Sequence, residues 1–311
     1  MNIINFDNCQ ISDKNGSYTG DAGSKEGIIY NDENWLIKYP KSTKRMNRID
    51  TSYTTSSLSE FIGSHIYEIL GYDVHKTLLG IRNNKLVVAC KDFCINGKEL
   101  REIRAIKNIY NEELSRKLEE QLHSINSNHY VDLQEILIHL ENNPILSKIP
   151  NIKARFWDCV VIDGLINNND RNNGNWGLLY QNGNYELAPI YDNGASFSNK
   201  LSDNQIENII LSKEKLEQSA LNTTTAYSWN DHVLLYKEIL NLENAELKQS
   251  ILKLTPIIEQ KMPEIKNFMD GIPEEENNLS VLSKERKVFY WQSLELRFKE
   301  ILLKRYMEIK K

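Results

Sequence analysis

Short apolar runs set the pattern of the first hundred positions. Gly27-Ile28-Ile29-Tyr30 and Trp35-Leu36-Ile37-Lys38-Tyr39 flank the polar stretch Asn31-Asp32-Glu33-Asn34, which predicts two strands closed as a hairpin. Pro40 to Ser57 is too hydrophilic to form core. The period then changes: Phe61, Ile62, Ile66, Ile69 and Leu70 share one face of a helix predicted over Ser59 to Leu70, with Gly71 as its C-cap. Val74 to Ile81 and Lys85 to Ala89 read as two further strands, joined through Arg82-Asn83-Asn84.

From Lys98 onward the pattern turns helical. Residues 98–126 carry dense charge with periodic Ile and Leu, and Leu133 to Leu140 makes another short helix. After Pro144 and Pro150, a helix from Ile152 to Ile166 has Phe156, Trp157, Val160, Val161 and Leu165 to bury. Trp176 to Tyr180 and Tyr185 to Ala188 predict a hairpin across Gln181-Asn182-Gly183-Asn184. The rest, residues 203–311, reads as helix with loops at Thr223-Thr224-Thr225 and Pro273-Glu274-Glu275-Glu276. It ends in an amphipathic helix, Lys284 to Lys311, expected to pack on the larger lobe. The chain is thus expected to form an α+β protein: a small β-rich N-lobe over residues 1–95 and a helical C-lobe over 96–311, with a cleft near residues 90–97.

Composition narrows the function. The chain has 311 residues, 40% hydrophobic, with a net charge of -5, so no basic excess is available to neutralise nucleic-acid phosphates. No apolar run approaches the roughly 20 residues a membrane span needs, and the first residues lack the features of a secretory signal. Cys9, Cys90, Cys94 and Cys159 form no CxxC pair and fit free thiols in a reducing cytoplasm. The abundance of Asn, Lys and Ile fits an AT-rich genome.

The candidate chemistry is phosphoryl transfer. Asp170, with Asn175 five residues on and Asp192 before Gly194, supplies a carboxylate to orient a hydroxyl and two hard oxygen donors for magnesium. An ordinary turn remains open, with Asp170 in an Asx-turn and Asn173-Gly174 at positive φ. Lys38 ends a strand and could neutralise nucleotide phosphates, with Glu60 orienting it; an edge-strand lysine and a first-turn acid are the bland alternatives. Gly20, Ala22, Gly23, Ser24 and Lys25 form a small-residue loop whose N–H groups could approach phosphate, although the Walker A spacing is absent and a flexible turn would look the same. Lys91 and Asp92 lie on a connector suited to the nucleoside, and Asp92 could bond a ribose hydroxyl.

Asp170-Arg171-Asn172-Asn173-Gly174-Asn175-Trp176-Gly177 together with Ala188-Pro189-Ile190-Tyr191-Asp192-Asn193-Gly194 resembles the HipA-like protein kinases of bacterial toxin–antitoxin modules. Ser59-Glu60-Phe61, Leu78-Leu79-Gly80, Val87 to Phe93 and Phe156-Trp157-Asp158 extend the likeness, toward the compact CtkA-type branch, over residues 15–200. The resemblance implies a bilobed kinase-like fold and ATP- and magnesium-dependent Ser/Thr phosphorylation. It makes Lys38 the phosphate lysine, Asp170 the catalytic Asp, Asn175 and Asp192 the metal ligands, and Ser24 an autophosphorylation candidate. It also implies a protein substrate, one related to translation, and a small antitoxin partner, with DNA binding left to that partner. Two departures stand out. Asn172 occupies a position where the family often has His, so an altered rate is expected. The chain is shorter at its N-terminus than full-length HipA proteins, so a separate small protein is expected to supply what that subdomain does. A lipid or small-molecule kinase and a silent nucleotide-binding module are the rival readings.

Overall fold

The computed structural model describes residues 1–16, 25–44, 46, 49–122 and 130–311. They fall into two units, one of residues 1–93, 189–220 and 257–296, the other of 94–188, 221–256 and 297–311. The two later segments of the first unit are joined to it by long-range contacts, to which a local pattern is blind.

In the first unit, β1 (Ile4–Asn5), β2 (Gln10–Ile11), β3 (Lys25–Tyr30) and β4 (Glu33–Lys38) precede helix α1 (Ser56–Ile69), and β5 (Thr77–Arg82) and β6 (Lys85–Lys91) follow it. They form a six-stranded sheet in the order β1-β5-β6-β4-β3-β2, antiparallel except where β1 runs parallel to β5. Both long hairpins close on asparagine-rich pairs at positive φ, Asn31-Asp32 (49° and 60°) and Asn83-Asn84 (51° and 54°), the conformation a two-residue turn needs to match strand twist. Alternation sends Trp35 and Ile37 of β4 into a core with Phe6, Ile28, Val87 and Ala89. The Phe6 ring lies where a side chain at position 80 would stand, which only Gly80 permits.

Helix α1 starts at Ser56, three residues before the expected Ser59, because Ser56 and Ser57 of the hydrophilic stretch are themselves buried. Glu60 is therefore in the second turn, and α1 has no acid in its first. The helix stops as expected: Gly71 (φ 86°) donates to Glu68 O at 2.9 Å and Tyr72 N–H to Tyr67 O at 3.0 Å, a Schellman ending. Val74 is not in a strand but bridges to Ile190 in parallel fashion.

The second unit corrects the helical reading of residues 98–126. The segment opens with strand β7 (Glu99–Glu102), then one turn α2 (Ile103–Ile106) and helix α3 (Glu112–Gln121); residues 123–126 lie outside those described. A strand of alternating charge is stable here because a partner strand pairs with it, and that partner is some eighty positions away. Strand β8 (Val131–Asp132) leads into α4 (Leu133–Asn142), capped by Asp132 accepting from Glu135 N–H at 2.9 Å. Helix α5 (Ile152–Ile166) is buried on all sides from Phe156 onward and flanked by left-handed Asn151 and Asn167. Strand β9 (Gly177–Gln181) pairs with β7 on one side and with β10 (Asn184–Leu187) on the other, across the turn Asn182-Gly183.

Helices α6 (Asp203–Ile210) and α7 (Lys213–Leu221) follow, and then a second correction. Thr224–Trp229 is a strand, β11, not a loop; it pairs with β12 (His232–Leu235) and with β8. One-turn α8 (Tyr236–Ile239) precedes the long α9 (Ala245–Asp270), whose buried Leu247, Ile251, Leu254, Ile258 and Ile265 keep helical spacing. The region read as a loop at Pro273–Glu276 enters a two-residue ladder, β13 (Glu275–Glu276) with β14 (Leu279–Ser280). Helix α10 (Lys284–Arg297) buries Phe289 and Leu294, and the π turn that joins it to α11 (Leu303–Lys310) buries Phe298 and Leu302, as the amphipathic pattern requires; α11 itself buries no residue. Among the described residues, no helix is long and apolar enough to cross a membrane.

Candidate active site

With Ile37 turned into the core, the next residue, Lys38, leaves β4 on the opposite face. Its Nζ stands 3.0 Å from Glu60 Oε2 of α1 and 3.0 Å from Asp192 Oδ1. Burial by itself would lower the lysine pKa; Asp192 and Glu60 outweigh it and hold the ammonium well above its ordinary value. Lys25 faces Lys38 directly across the hairpin. Its own pKa is lowered, first by burial and then by the Lys38 charge. Two lysines and two carboxylates thus converge at one end of the β3–β4 hairpin.

The Glu60 side chain is 1% exposed and fully engaged. Oε1 takes His75 Nε2 at 2.9 Å and the Asn193 N–H at 3.0 Å, while Oε2 takes Lys38. Burial raises its pKa, but Lys38, His75 and Asn193 together hold it below the usual carboxylate range. A carboxylate only accepts, so His75 must carry its proton on Nε2. Ser64 Oγ lies 3.1 Å from the same nitrogen and accepts from Asn193 Nδ2 at 3.0 Å. Glu60, His75 and Cys90 place ligand atoms within 4.8 Å of one another, a donor set that could in principle hold a metal ion. The carboxylate is already saturated, and an ion there would have to displace Lys38. Burial, ahead of the neighbouring charges, also pushes the Cys90 thiol up, away from the thiolate a metal needs.

Asp192 has left-handed backbone (φ 60°), which presents its carboxylate to Lys38 while the following N–H reaches Glu60. The Asp192 side chain remains 36% exposed, so an oxygen is open to a ligand. His75, Ser64 and Asn193 were not found by sequence reasoning. Asn193 stood inside the quoted motif with no role, and nothing in the local pattern marks His75 or Ser64.

In the second unit, α5 delivers the chain to a loop built around a buried pair. Arg171 donates from Nε to Asp163 Oδ2 at 2.8 Å and from Nη2 to Oδ1 at 2.9 Å. Asn168 Nδ2 joins Oδ1 at 3.0 Å, and Arg171 Nη1 reaches forward to the Asn175 carbonyl at 2.9 Å. With Arg171 held inside, Asp170 is exposed. Asn175 Nδ2 donates to the Asp170 carbonyl at 2.5 Å, which turns Oδ1 away and leaves it available as a hard donor. The turn alternative is realised differently: Asn172, not Asp170, makes the Asx bond, accepting Gly174 N–H at 2.8 Å, and neither Asn173 nor Gly174 is at positive φ. Asp163, Arg171 and Asn168 were also missed; Arg171 stood in the quoted motif without a role.

The remaining candidates divide. Gly20, Ala22, Gly23 and Ser24 lie outside the described residues. Lys91 pairs with Glu33 at 2.6 Å, and Asp92 accepts from Lys14 at 2.6 Å, neither of them in the Lys38 cluster.

No protein-family model matches the chain. A serine/threonine-protein kinase, CtkA of Helicobacter pylori strain J99, is 30% identical over 282 residues, covering 88% of this chain and 80% of that protein. The crystal structure of a Helicobacter pylori proinflammatory kinase CtkA superposes with a TM-score of 0.84 at 28% identity, covering 100% of this chain and 99% of that one. HipA of Shewanella oneidensis MR-1, solved with HipB and operator DNA, gives a TM-score of 0.54 at 14% identity, covering 94% of this chain and 67% of that one. The last likeness is one of fold alone.

Proposed function

The chain belongs to the CtkA-type serine/threonine-protein kinases, on the HipA-like fold, and on that premise we propose that it moves the γ-phosphoryl group of ATP, with magnesium, to a protein hydroxyl. Lys38 neutralises nucleotide phosphate, and Glu60 and Asp192 hold it in place. Asp170 accepts the proton of the attacking hydroxyl. Asp192 and Asn175 would hold the magnesium ion, since both offer oxygen atoms of the hard type it takes and both have one available. When bound, that ion neutralises phosphate charge. By the same family likeness, Gly20, Ala22, Gly23, Ser24 and Lys25 would serve the phosphates, their N–H groups suited to phosphate oxygens. Autophosphorylation at Ser24 would add about -1.5 to -2 charge beside them and oppose ATP. Lys91 and Asp92 serve the nucleoside from the connector.

The observation that carries this reading is the double hold on Lys38. A half-buried lysine held by a helix carboxylate and by a partly exposed, left-handed Asp is placed to meet an anion. A small antitoxin-like partner and a translation-related protein substrate complete the reading by analogy with the toxin–antitoxin HipA proteins.

Calorimetry of ATP binding with and without magnesium tests it. The wild type should bind ATP more tightly with the ion present. Lys38→Met should weaken binding in both conditions, and Asp192→Asn should remove the magnesium effect alone. Equal ATP binding by all three proteins would defeat the assignment.

A further inference from the structure

The Asn172 amide carries more than the turn. Its Oδ1 accepts the Gly174 N–H at 2.8 Å, and a backbone N–H can only donate, so the orientation of the amide is fixed chemically. Nδ2 therefore faces Asp170, and it donates to Asp170 Oδ1 at 2.9 Å. The main chain is pinned as well, with Asn175 N–H donating to Asn172 O at 2.9 Å and Arg104 N–H to Asn173 O at 2.8 Å. Among the described residues, Asp170 Oδ2 accepts no hydrogen bond, so one oxygen is tied and its twin is left for an incoming proton.

We propose that Asn172 is a positioning residue for Asp170: its amide locks one carboxylate oxygen so that the other meets the acceptor hydroxyl, with a donor that does not titrate. The inference rests on Asp170 acting on that hydroxyl. The charged groups about the pair are few. Arg171 is turned inward onto Asp163, and Arg104, with its guanidinium beside Gly174, is paired to Glu102 at 3.1 Å. The Asn172 amide is the side chain that donates to the Asp170 carboxylate, and that contact sets its rotamer.

Asn172→Asp separates the two halves of the amide's work. The replacement keeps an oxygen for the Gly174 N–H and the shape of the turn, but it removes the donor and sets a second carboxylate against Asp170. Transfer from ATP to dephosphorylated casein, with ATP hydrolysis as the acceptor-free readout, is followed at pH 8 beside Asn172→Ala and Asp170→Asn. Asn172→Asp should lower kcat about 10- to 100-fold with KM for ATP within about twofold and an unchanged unfolding midpoint. Asn172→Ala, which removes the same donor, should lower kcat as well. A kcat within twofold of wild type, or a change confined to KM, overturns the proposal. Should Asn172→Asp fail to fold, Asn172→Ala decides by the split between kcat and KM: a change confined to KM overturns it. Activity surviving in Asp170→Asn would instead sink the role given to Asp170 and take this inference with it.

Discussion

Arg171 and Asp163 meet as a two-pronged pair, Nε to Oδ2 at 2.8 Å and Nη2 to Oδ1 at 2.9 Å, with both side chains buried. The same guanidinium reaches the Asn175 carbonyl, so one arginine ties the end of α5 to the loop carrying Asp170 and Asn175. Removing one partner strands a buried charge, at a cost of about 3–5 kcal/mol. Asp163→Ala should therefore unfold at markedly lower denaturant and lose transfer activity, whereas Arg171→Lys, which retains charge but not the fork, should keep much of the stability and little of the activity. Denaturant melts paired with activity assays check both.

Lys38 and Glu60 allow a prediction with the sign of its pH dependence. A carboxylate whose folded pKa is held down contributes stability above its unfolded value and loses it only as pH falls through the lower, folded one. Glu60 therefore stays ionised across the neutral range and should give no acid limb above pH 5. Glu60→Gln keeps the shape but leaves Lys38 with Asp192 alone on its charged flank. Its kcat/KM should fall at least tenfold at every pH from 6 to 8. A pH–rate profile of the two proteins is the check.

How much of this was legible in the chain differs residue by residue. Lys38 and Asp192 stood out because each closes an apolar run, and the cost of burying a polar group makes that placement informative. Lys38 with Glu60 and Asp192 came together; His75 and Ser64 did not announce themselves, since their work is done on residues far along the chain. The strands Glu99–Glu102 and Thr224–Trp229 were misread for the same reason: strand pairing is decided by a distant partner, while helix and turn signals are local. Asparagine was undervalued. Asn31, Asn83, Asn84, Asn182, Asn230 and Asn277 all take positive φ in hairpin turns, so part of the excess that looked like genome composition shapes the backbone.

His139 of α4 is wholly buried, and among the described residues neither ring nitrogen has a hydrogen-bond partner. Burial, assisted by the Lys107 charge, lowers its pKa to about 4; Glu135 Oε1 lies 3.9 Å from it and the Tyr110 ring 6.1 Å. A histidine that is neutral when folded but protonated when unfolded loses stability for the fold as pH drops from about 6.5 toward 4. The loss amounts to about 2 kcal/mol by pH 5. His139→Leu should therefore be at least as stable as wild type at pH 7 and should lose less stability on going to pH 5. Unfolding midpoints at the two pH values decide it.

Gly164 and Gly174 predict opposite outcomes for one substitution. A Cβ at Gly164 of α5 would run into the ring of Tyr236, which is buried and donates to Val161 O at 3.0 Å. Gly164→Ala should cost about 1–3 kcal/mol or more. At Gly174 the obstacle is the far end of Arg104, an exposed side chain free to move. Gly174→Ala should melt within a few degrees of wild type, and thermal denaturation of both compares them directly.

The central claim is phosphoryl transfer from ATP to protein through Asp170 and Asp192. It is tested most directly by incubating the purified chain and a cell lysate with γ-labelled ATP and magnesium, beside Asp170→Asn and Asp192→Asn, and identifying the labelled residue. The account predicts label on serine or threonine of protein, lost in both variants. Label that persists in both variants, or that appears only on lipid or a small molecule, would contradict it.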